Sequence, residues 1–540
     1  MKNSKLSINL KRFFQRRLEF EGLSIAYGEL FLFFLIIFLY FLTRLYRLTI
    51  LPVFADEAIY VRWAQVMRAE PTLRFISLQD GKQPLFMWLV IPALKIFADP
   101  LFAGRFISVL SGLAVMLGLG ALTFVIFRKV KTALLAMFLY LVVPWGLFFD
   151  RMALVDGLLS ALAVWSLVFA IILGETRRLD SALILGMILG GGLLTKSPGM
   201  FFVLMAPMVA IVRVELFPRS DHPLNNKVQN GLRALLLLAV SLIFAFGIYN
   251  ILRLGPNFHM IKIRNKDYVW PISEILKHPL DPLIPHIKDV VHYYYSYLTL
   301  PIFTLGILGA LGILKKKKKR LMGIVLLTWW LAPLLVEAAI AKTFTGRYIL
   351  FSLPVFLLFV AYGIENLKSQ VLNFSVSPQT LRLLEVFLLG LILVPPLVFD
   401  WRLWTDPAKA SLPRDDYAGY LEDWTAGWGI KETVDYVKEI SRAGNKVVVG
   451  TEGFFGTLPD GLQIYLEKEP GVTVLGVGVP VKSIANSLKE ARASGNKTYL
   501  LVNKSRFYIK NESRLKLVKV FKKPGGDELL FFEVLGAKQQ

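Results

Sequence analysis

Across roughly the first 400 positions, long apolar stretches are separated by short polar breaks. Runs of about 17–25 apolar residues recur, the length a helix needs to cross a hydrocarbon core. The short alternating segments of a membrane barrel are absent. The pattern predicts a first helix over about 29–48 and further spans near 104–127, 132–149, 152–174, 181–195, 199–213, 232–252, 299–314, 321–341, 347–364 and 380–399. Between the first two lies a polar loop in which Tyr60, Val61, Ala64 and Met67 recur at helical spacing, as expected of a helix on the membrane surface. The run Leu85–Phe97 is short for a span and is assigned as an interfacial or re-entrant helix. From about Trp424 the pattern changes. An amphipathic helix (Lys431–Ile440), a strand (Lys446–Gly450), a helix near Leu462–Lys468, a strand at Val472–Val477, a helix (Val481–Ala493) and strands at Lys497–Val502, Leu515–Phe521 and Glu528–Val534 predict a small α/β domain.

The expected architecture is a polytopic α-helical membrane domain over 1–400, with about eleven transmembrane helices, and an extracytoplasmic α/β domain over 401–540. We find no internal repeat.

Charge settles the orientation. The chain carries a net +23, with basic residues concentrated between apolar runs: Lys129/Lys131, Arg177/Arg178, Arg213/Arg219/Lys227 and Lys315–Arg320. Cytoplasmic retention of Lys and Arg produces that distribution, so nucleic-acid binding is not expected. Treating 85–97 as a full span would place these clusters outside, which the retention rule disfavours. The basic start (Lys2, Lys5, Lys11, Arg12, Arg16, Arg17) is then cytoplasmic, the first helix is retained, and the protein is multi-pass in the cell membrane. With no cysteine there are no disulfides, thiolate metal sites or thiol nucleophiles.

Several charged groups fall on the outer side. Asp56-Glu57 follow the first span directly; they suit a helix start, as N-cap and first-turn acid, and equally a general base. Lys82 precedes Pro84 at the foot of the re-entrant helix. Arg105 and Arg347 open spans on the outer side, against the usual bias, which asks for an anionic ligand such as a phosphate. Asp156 lies over a turn into a span, as a functional acid or as an ion-pair partner of Arg151. Lys196 stands in a Ser-Pro-Gly break. His259, His278, His286 and His292 lie in a long outer loop near Tyr293-Tyr294-Tyr295, but their spacing fits no metal motif. An aromatic loop over a sugar site or along the lipid interface is expected instead. The Gly-rich stretch 450–456 lacks dinucleotide spacing.

These residues, in this order, resemble the GT-C superfamily of polyprenyl-phosphate-sugar-dependent glycosyltransferases, nearest the protein mannosyltransferase and lipid A aminoarabinose transferase branch. The likeness rests on Asp56-Glu57, Lys82-Gln-Pro-Leu, Arg105, Arg151-Met-Ala-Leu-Val-Asp156, Thr195-Lys-Ser-Pro and Arg347-Tyr348, and covers roughly 30–365. Gln83 and Ser197 depart from the proline and glycine of the family pattern. The resemblance implies an external site, a lipid-linked donor, a protein, glycolipid or polysaccharide acceptor, and inverting transfer of a hexose or pentose. Asp56 would be the base with Glu57 beside it, and Lys82, Arg105, Arg347 and Lys196 would bind the donor phosphate. Arg151, Asp156 and Tyr348 would orient sugar or acceptor. No cofactor is expected, and metal independence is favoured. The competing class is a transporter or lipid flippase with an exported binding domain; the missing repeat and the charges at outer corners count against it.

Overall fold

The computed structural model describes residues 15–20, 23–216, 225–371, 377–510 and 513–536. Of the basic positions used for orientation, Lys2, Lys5, Lys11, Arg12 and Arg219 lie outside the described residues, as do the side chains of Lys227 and Lys318.

A hairpin, β1 (Arg17–Phe20) and β2 (Leu23–Ala26), leads into α1 (Tyr27–Leu45). There follow α2 (Ala55–Ala69), α3 (Leu85–Ile96), α4 (Pro100–Phe127), α5 (Val130–Val142), α6 (Pro144–Asp150), α7 (Val155–Thr176), α8 (Leu179–Thr195), α9 (Gly199–Leu216) and α10 (Asn225–Tyr249). The bundle continues with α11 (Met260–Tyr268), α12 (Ile272–Lys277), α13 (Leu283–Lys315), α14 (Arg320–Ile340), α15 (Leu353–Val371) and α16 (Pro378–Thr405). Among the described residues, eight helices are long and apolar enough to cross a membrane, or nine with the pair α5–α6, which bends by 64°. The sequence predicts eleven spans; α8 and α9, like α3, are shorter apolar helices and do not reach that length.

Ion pairs mark the two ends of the bundle. Arg128 bonds Glu175 at 2.8 Å, Lys129 bonds Glu365 at 2.5 Å, and Arg213 also reaches Glu175. Lys319 lies over the rings of Phe127 and Tyr362. The basic loops that the sequence assigns to one side therefore meet at one end. Asp56, Lys82, Lys196 and Arg347 lie at the other.

Two expectations need correction. The outer segment from Arg253 to Tyr297 is not an open loop: it folds into α11, α12 and the first half of α13, which is kinked at Thr299. Tyr293 and Tyr294 are buried in the bundle, where Tyr294 bonds Ser352 and Trp330, so of that triplet only Tyr295 is exposed. Likewise α2 does not lie bare on a lipid surface, because Ala58, Val61, Ala64 and Met67 are fully buried.

The C-terminal domain covers α2. Its five-stranded sheet has the order β4-β3-β5-β7-β6, built from β3 (Val447–Thr451), β4 (Val472–Gly476), β5 (Lys497–Asn503), β6 (Leu515–Lys522) and β7 (Glu528–Val534). β3 pairs β4 and β5 in parallel, and β7 pairs β5 and β6 antiparallel. β3, flanked by β4 and β5, is wholly buried, as its run of three valines requires. After α17 (Arg414–Tyr417), α18 (Ile430–Arg442) buries Ile430, Val434 and Val437 at helical spacing. α19 (Asp460–Leu466) and α20 (Asn486–Ala493) supply the remaining crossovers. Gln65 of α2 donates to the Ile464 carbonyl at 2.9 Å, and Arg68 bonds Glu467 at 2.7 Å. Just before α2, the Ala55 N–H donates to the Thr425 carbonyl (3.0 Å) and the Gly427 N–H to the Val53 carbonyl (2.9 Å), a strand-like bridge between Phe54 and Ala426.

Candidate active site

The adjacent acids of α2 have separate surroundings. Phe54 is the N-cap, so Asp56 and Glu57 fall in the first turn about 100° apart around the helix axis. Glu57 points inward and is 0% exposed. Its carboxylate accepts from the Phe54 N–H (3.0 Å), the Ala153 N–H (2.6 Å) and Arg105, at 2.8 Å from Nε and 2.7 Å from Nη2. Asp56 turns the other way and meets Arg347 Nη2 at 2.6 Å. The capping role read from the sequence thus belongs to Glu57.

Arg347 opens a short 3₁₀ segment, Gly346–Ser352, ahead of α15, with its guanidinium over the rings of Phe54 and Tyr348. Lys82 follows Gly81, which has φ +67° and no room for a side chain, since an added Cβ would come within 2.6 Å of Arg264 Cβ. The Lys82 ammonium donates to Tyr268 Oη at 2.9 Å. Burial alone would lower the Lys82 pKa, but Asp56 and Tyr268 raise it above its usual value, so the side chain is charged. For Asp56 burial acts upward, and Arg347, Lys82 and Lys196 together hold the carboxyl below its usual range. Lys196, in the turn between α8 and α9, bonds Asp156 at 2.7 Å and lies over the Tyr348 ring.

Lys82, Lys196 and Tyr348 share a cleft of about 250 Å³ with Tyr60, Tyr268 and Glu337. Gln83 and Ser197, the two departures from the family pattern, hydrogen-bond to each other at 3.1 Å. Ser197 also donates to Asn265 at 3.3 Å. These contacts tie the two lysine-bearing turns to α11 and hold both ammonium groups on the same cleft.

Three expected positions are not brought to the cleft. Arg105 is 0% exposed, and besides Glu57 it donates to the carbonyls of Leu48, Leu51 and Pro52. With its guanidinium so engaged it cannot clamp a phosphate, and it holds the entry to α2 instead. Glu57, its partner, is equally remote from any substrate. Arg151 donates to the carbonyls of Tyr46 and Arg47 and so closes the end of α1; it does not pair with Asp156. Of the four outer histidines, His286 bonds the Ala338 carbonyl and stacks on Phe344. Among the described residues no three His, Asp or Glu side chains group in a way that could hold a metal ion.

Sequence reasoning missed Glu337, Tyr60, Tyr268 and the Arg264–Asp80 pair (2.5 Å) at the cleft wall. Glu337 had a readable signal: an acid in the last turn of a membrane-length apolar run.

Residues 81–244, which include Lys82, Asp156 and Lys196, match the model of the dolichyl-phosphate-mannose-protein mannosyltransferase family. No curated protein sequence matches the chain. Among solved structures, ArnT from Cupriavidus metallidurans bound to undecaprenyl phosphate superposes with a TM-score of 0.53 at 13% identity, over 94% of this chain and 98% of that one. The apo form of that protein gives 0.52 at 13%, over 93% and 97%. The matched segment carries two of the cleft lysines, and the chain shares the fold of ArnT along nearly its whole length.

Proposed function

We propose that this membrane glycosyltransferase moves a sugar from a polyprenyl-phosphate donor to an acceptor hydroxyl on the extracytoplasmic side, with inversion. The observation that carries the reading is the gathering of Arg347, Lys82 and Lys196, from three distant segments, around Asp56, beside the cleft that the two lysines line. The undecaprenyl phosphate held by the similar ArnT structure supports a lipid phosphate as the donor headgroup.

The chemistry follows from the arrangement. The acceptor oxygen attacks the anomeric carbon from the face opposite the phosphate, while Asp56 takes its proton. The anomeric C–O bond breaks, and its electron pair stays on the phosphate oxygen. Lys82 and Arg347 stabilise the charge gathering there, with Lys196 in support. A polyprenyl phosphate is a weak base, so its departure needs no general acid. In the unliganded cleft Arg347 is paired to Asp56. An incoming phosphate competes for that guanidinium and so raises the basicity of the carboxylate when substrate is present. Asp156 and Tyr348 line or border the sugar region, one through Lys196 and the other directly. No cofactor is needed for this route.

The test is transfer from labelled polyprenyl-phosphate sugars by purified Asp56→Asn protein. General-base loss is worth roughly 10²–10⁴ in rate; donor binding and folding should survive. Retained full activity would remove the base assignment.

A further inference from the structure

The charged groups at the cleft sort into pairs with two remainders. Arg347 is matched by Asp56 (2.6 Å), Lys196 by Asp156 (2.7 Å), and Arg264 by Asp80 (2.5 Å) and Asp267 (2.7 Å). Among the described residues, Lys82 and Glu337 alone line the cleft with no oppositely charged side chain within salt-bridge distance. Lys82 has the Tyr268 hydroxyl. Glu337 is 8% exposed, and its Oε2 is buried without a hydrogen-bond partner. Leaving a buried carboxylate oxygen unmatched is costly, and the group persists when a ligand completes it. A metal is an unsuitable completion, because no set of three acids or histidines surrounds Glu337 among the described residues.

The lone charges also give the cleft a direction. A phosphate is drawn to Lys82 and Arg347, and the Glu337 carboxyl offers it no positive charge. A sugar joined to that phosphate must then extend from the cationic end toward the wall formed by the last turn of α14. What it presents there is hydrogen-bond donors.

We propose that Glu337 recognises the transferred sugar, accepting hydrogen bonds from its hydroxyl or amino groups and thereby setting which donors are bound productively. The proposal rests on the donor reading given above. It makes Glu337 a specificity residue and assigns it no share in proton transfer.

The test compares two ligands in full-length protein reconstituted in nanodiscs. One is undecaprenyl phosphate; the other is the best-bound member of a panel of undecaprenyl-phosphate hexoses, pentoses and amino sugars. Glu337→Gln and Glu337→Leu should weaken binding of the sugar-bearing lipid about tenfold or more, as expected for a lost charged hydrogen bond. Affinity for undecaprenyl phosphate should stay within about twofold in both variants, a split that a merely structural role would not produce. Should the Leu variant not yield monodisperse protein, the isosteric Gln variant decides alone. Equal losses for both lipids, no loss for either, or a wild type that binds the sugar-bearing lipid no better than the bare phosphate would each overturn the proposal. A wild type that binds neither lipid refutes the donor reading itself, and this inference with it.

Discussion

Neighbouring carboxylates on one helix turn should fail in opposite ways. Glu57→Gln keeps the size of the side chain but removes its charge, and it sets an amide N–H₂ among donors. Four hydrogen bonds converge on this carboxylate, two of them from a guanidinium that is itself fully buried. Removing one partner of a buried ion pair costs on the order of 3–5 kcal/mol, because the remaining charge is left uncompensated. Arg105 keeps the carbonyls of Leu48, Leu51 and Pro52, which places the expected loss near the lower end of that range. Asp56→Asn removes a carboxylate that is about one quarter exposed (26%) and has one ionic partner, so its stability cost should be about 1 kcal/mol or less. A protein of this size and two-part build does not unfold in one step. The suitable measurement is the temperature at which monodisperse protein disappears from size-exclusion profiles in detergent, taken beside single-turnover transfer. Glu57→Gln should lower that temperature markedly while the surviving folded fraction retains transfer; Asp56→Asn should leave it nearly unchanged and abolish transfer. A Glu57→Gln protein that is as stable as wild type yet inactive would refute the assignment of Glu57 to structure.

Lys82→Met should weaken undecaprenyl phosphate binding by roughly 10–100-fold, the worth of a charged hydrogen bond; unchanged affinity in direct binding would remove Lys82 from the phosphate end. The Gln83→Ala and Ser197→Ala changes should be coupled, with about 0.5–1.5 kcal/mol of interaction in a double-mutant cycle on donor affinity, and strict additivity would show their hydrogen bond to be idle. The base must be ionised to act, and Asp56 is held below its usual 3.8. Activity (kcat/KM) should therefore stay level from pH 8 to about pH 5 and fall only as protonation sets in below that usual value. An acid limb centred near pH 6 in wild type would contradict this. In Lys82→Met one lowering charge is gone, so the limb should move upward.

Much of the fold was readable because membrane crossing leaves a coarse record. Run length is enough to recover α1, α4, α7, α10 and α13 to α16 as membrane-length helices, and it leaves the short α3 out of that set. The C-terminal strands were equally plain, since β3 and β5 are buried apolar runs bounded by polar turns. Asp56, Lys82, Lys196 and Arg347, each placed where a helix begins or a chain break ends on one side, are neighbours in the fold. Two arginines that open helices could not be told apart in one dimension. Arg347 meets Asp56 beside the cleft, whereas Arg105 meets carbonyls of the incoming loop some 50 positions earlier, a closure that only packing decides. The same blindness put Arg151 beside Asp156, when Lys196 from another turn holds that acid. Tyr293 and Tyr294 misled for a different reason: aromatic residues suit a lipid boundary and a bundle interior alike, and the choice depends on where α13 begins.

The backbone bridge between Phe54 and Ala426 makes the polar tail part of the scaffold that holds Asp56. The peptide unit just ahead of Asp56 is stitched to a segment more than 360 positions later, so a chain cut after Thr405 would retain every cleft side chain named above and still lose the strand that fixes where the first turn of α2 starts. A pull on the C-terminal sheet is transmitted through two hydrogen bonds to the first turn of α2.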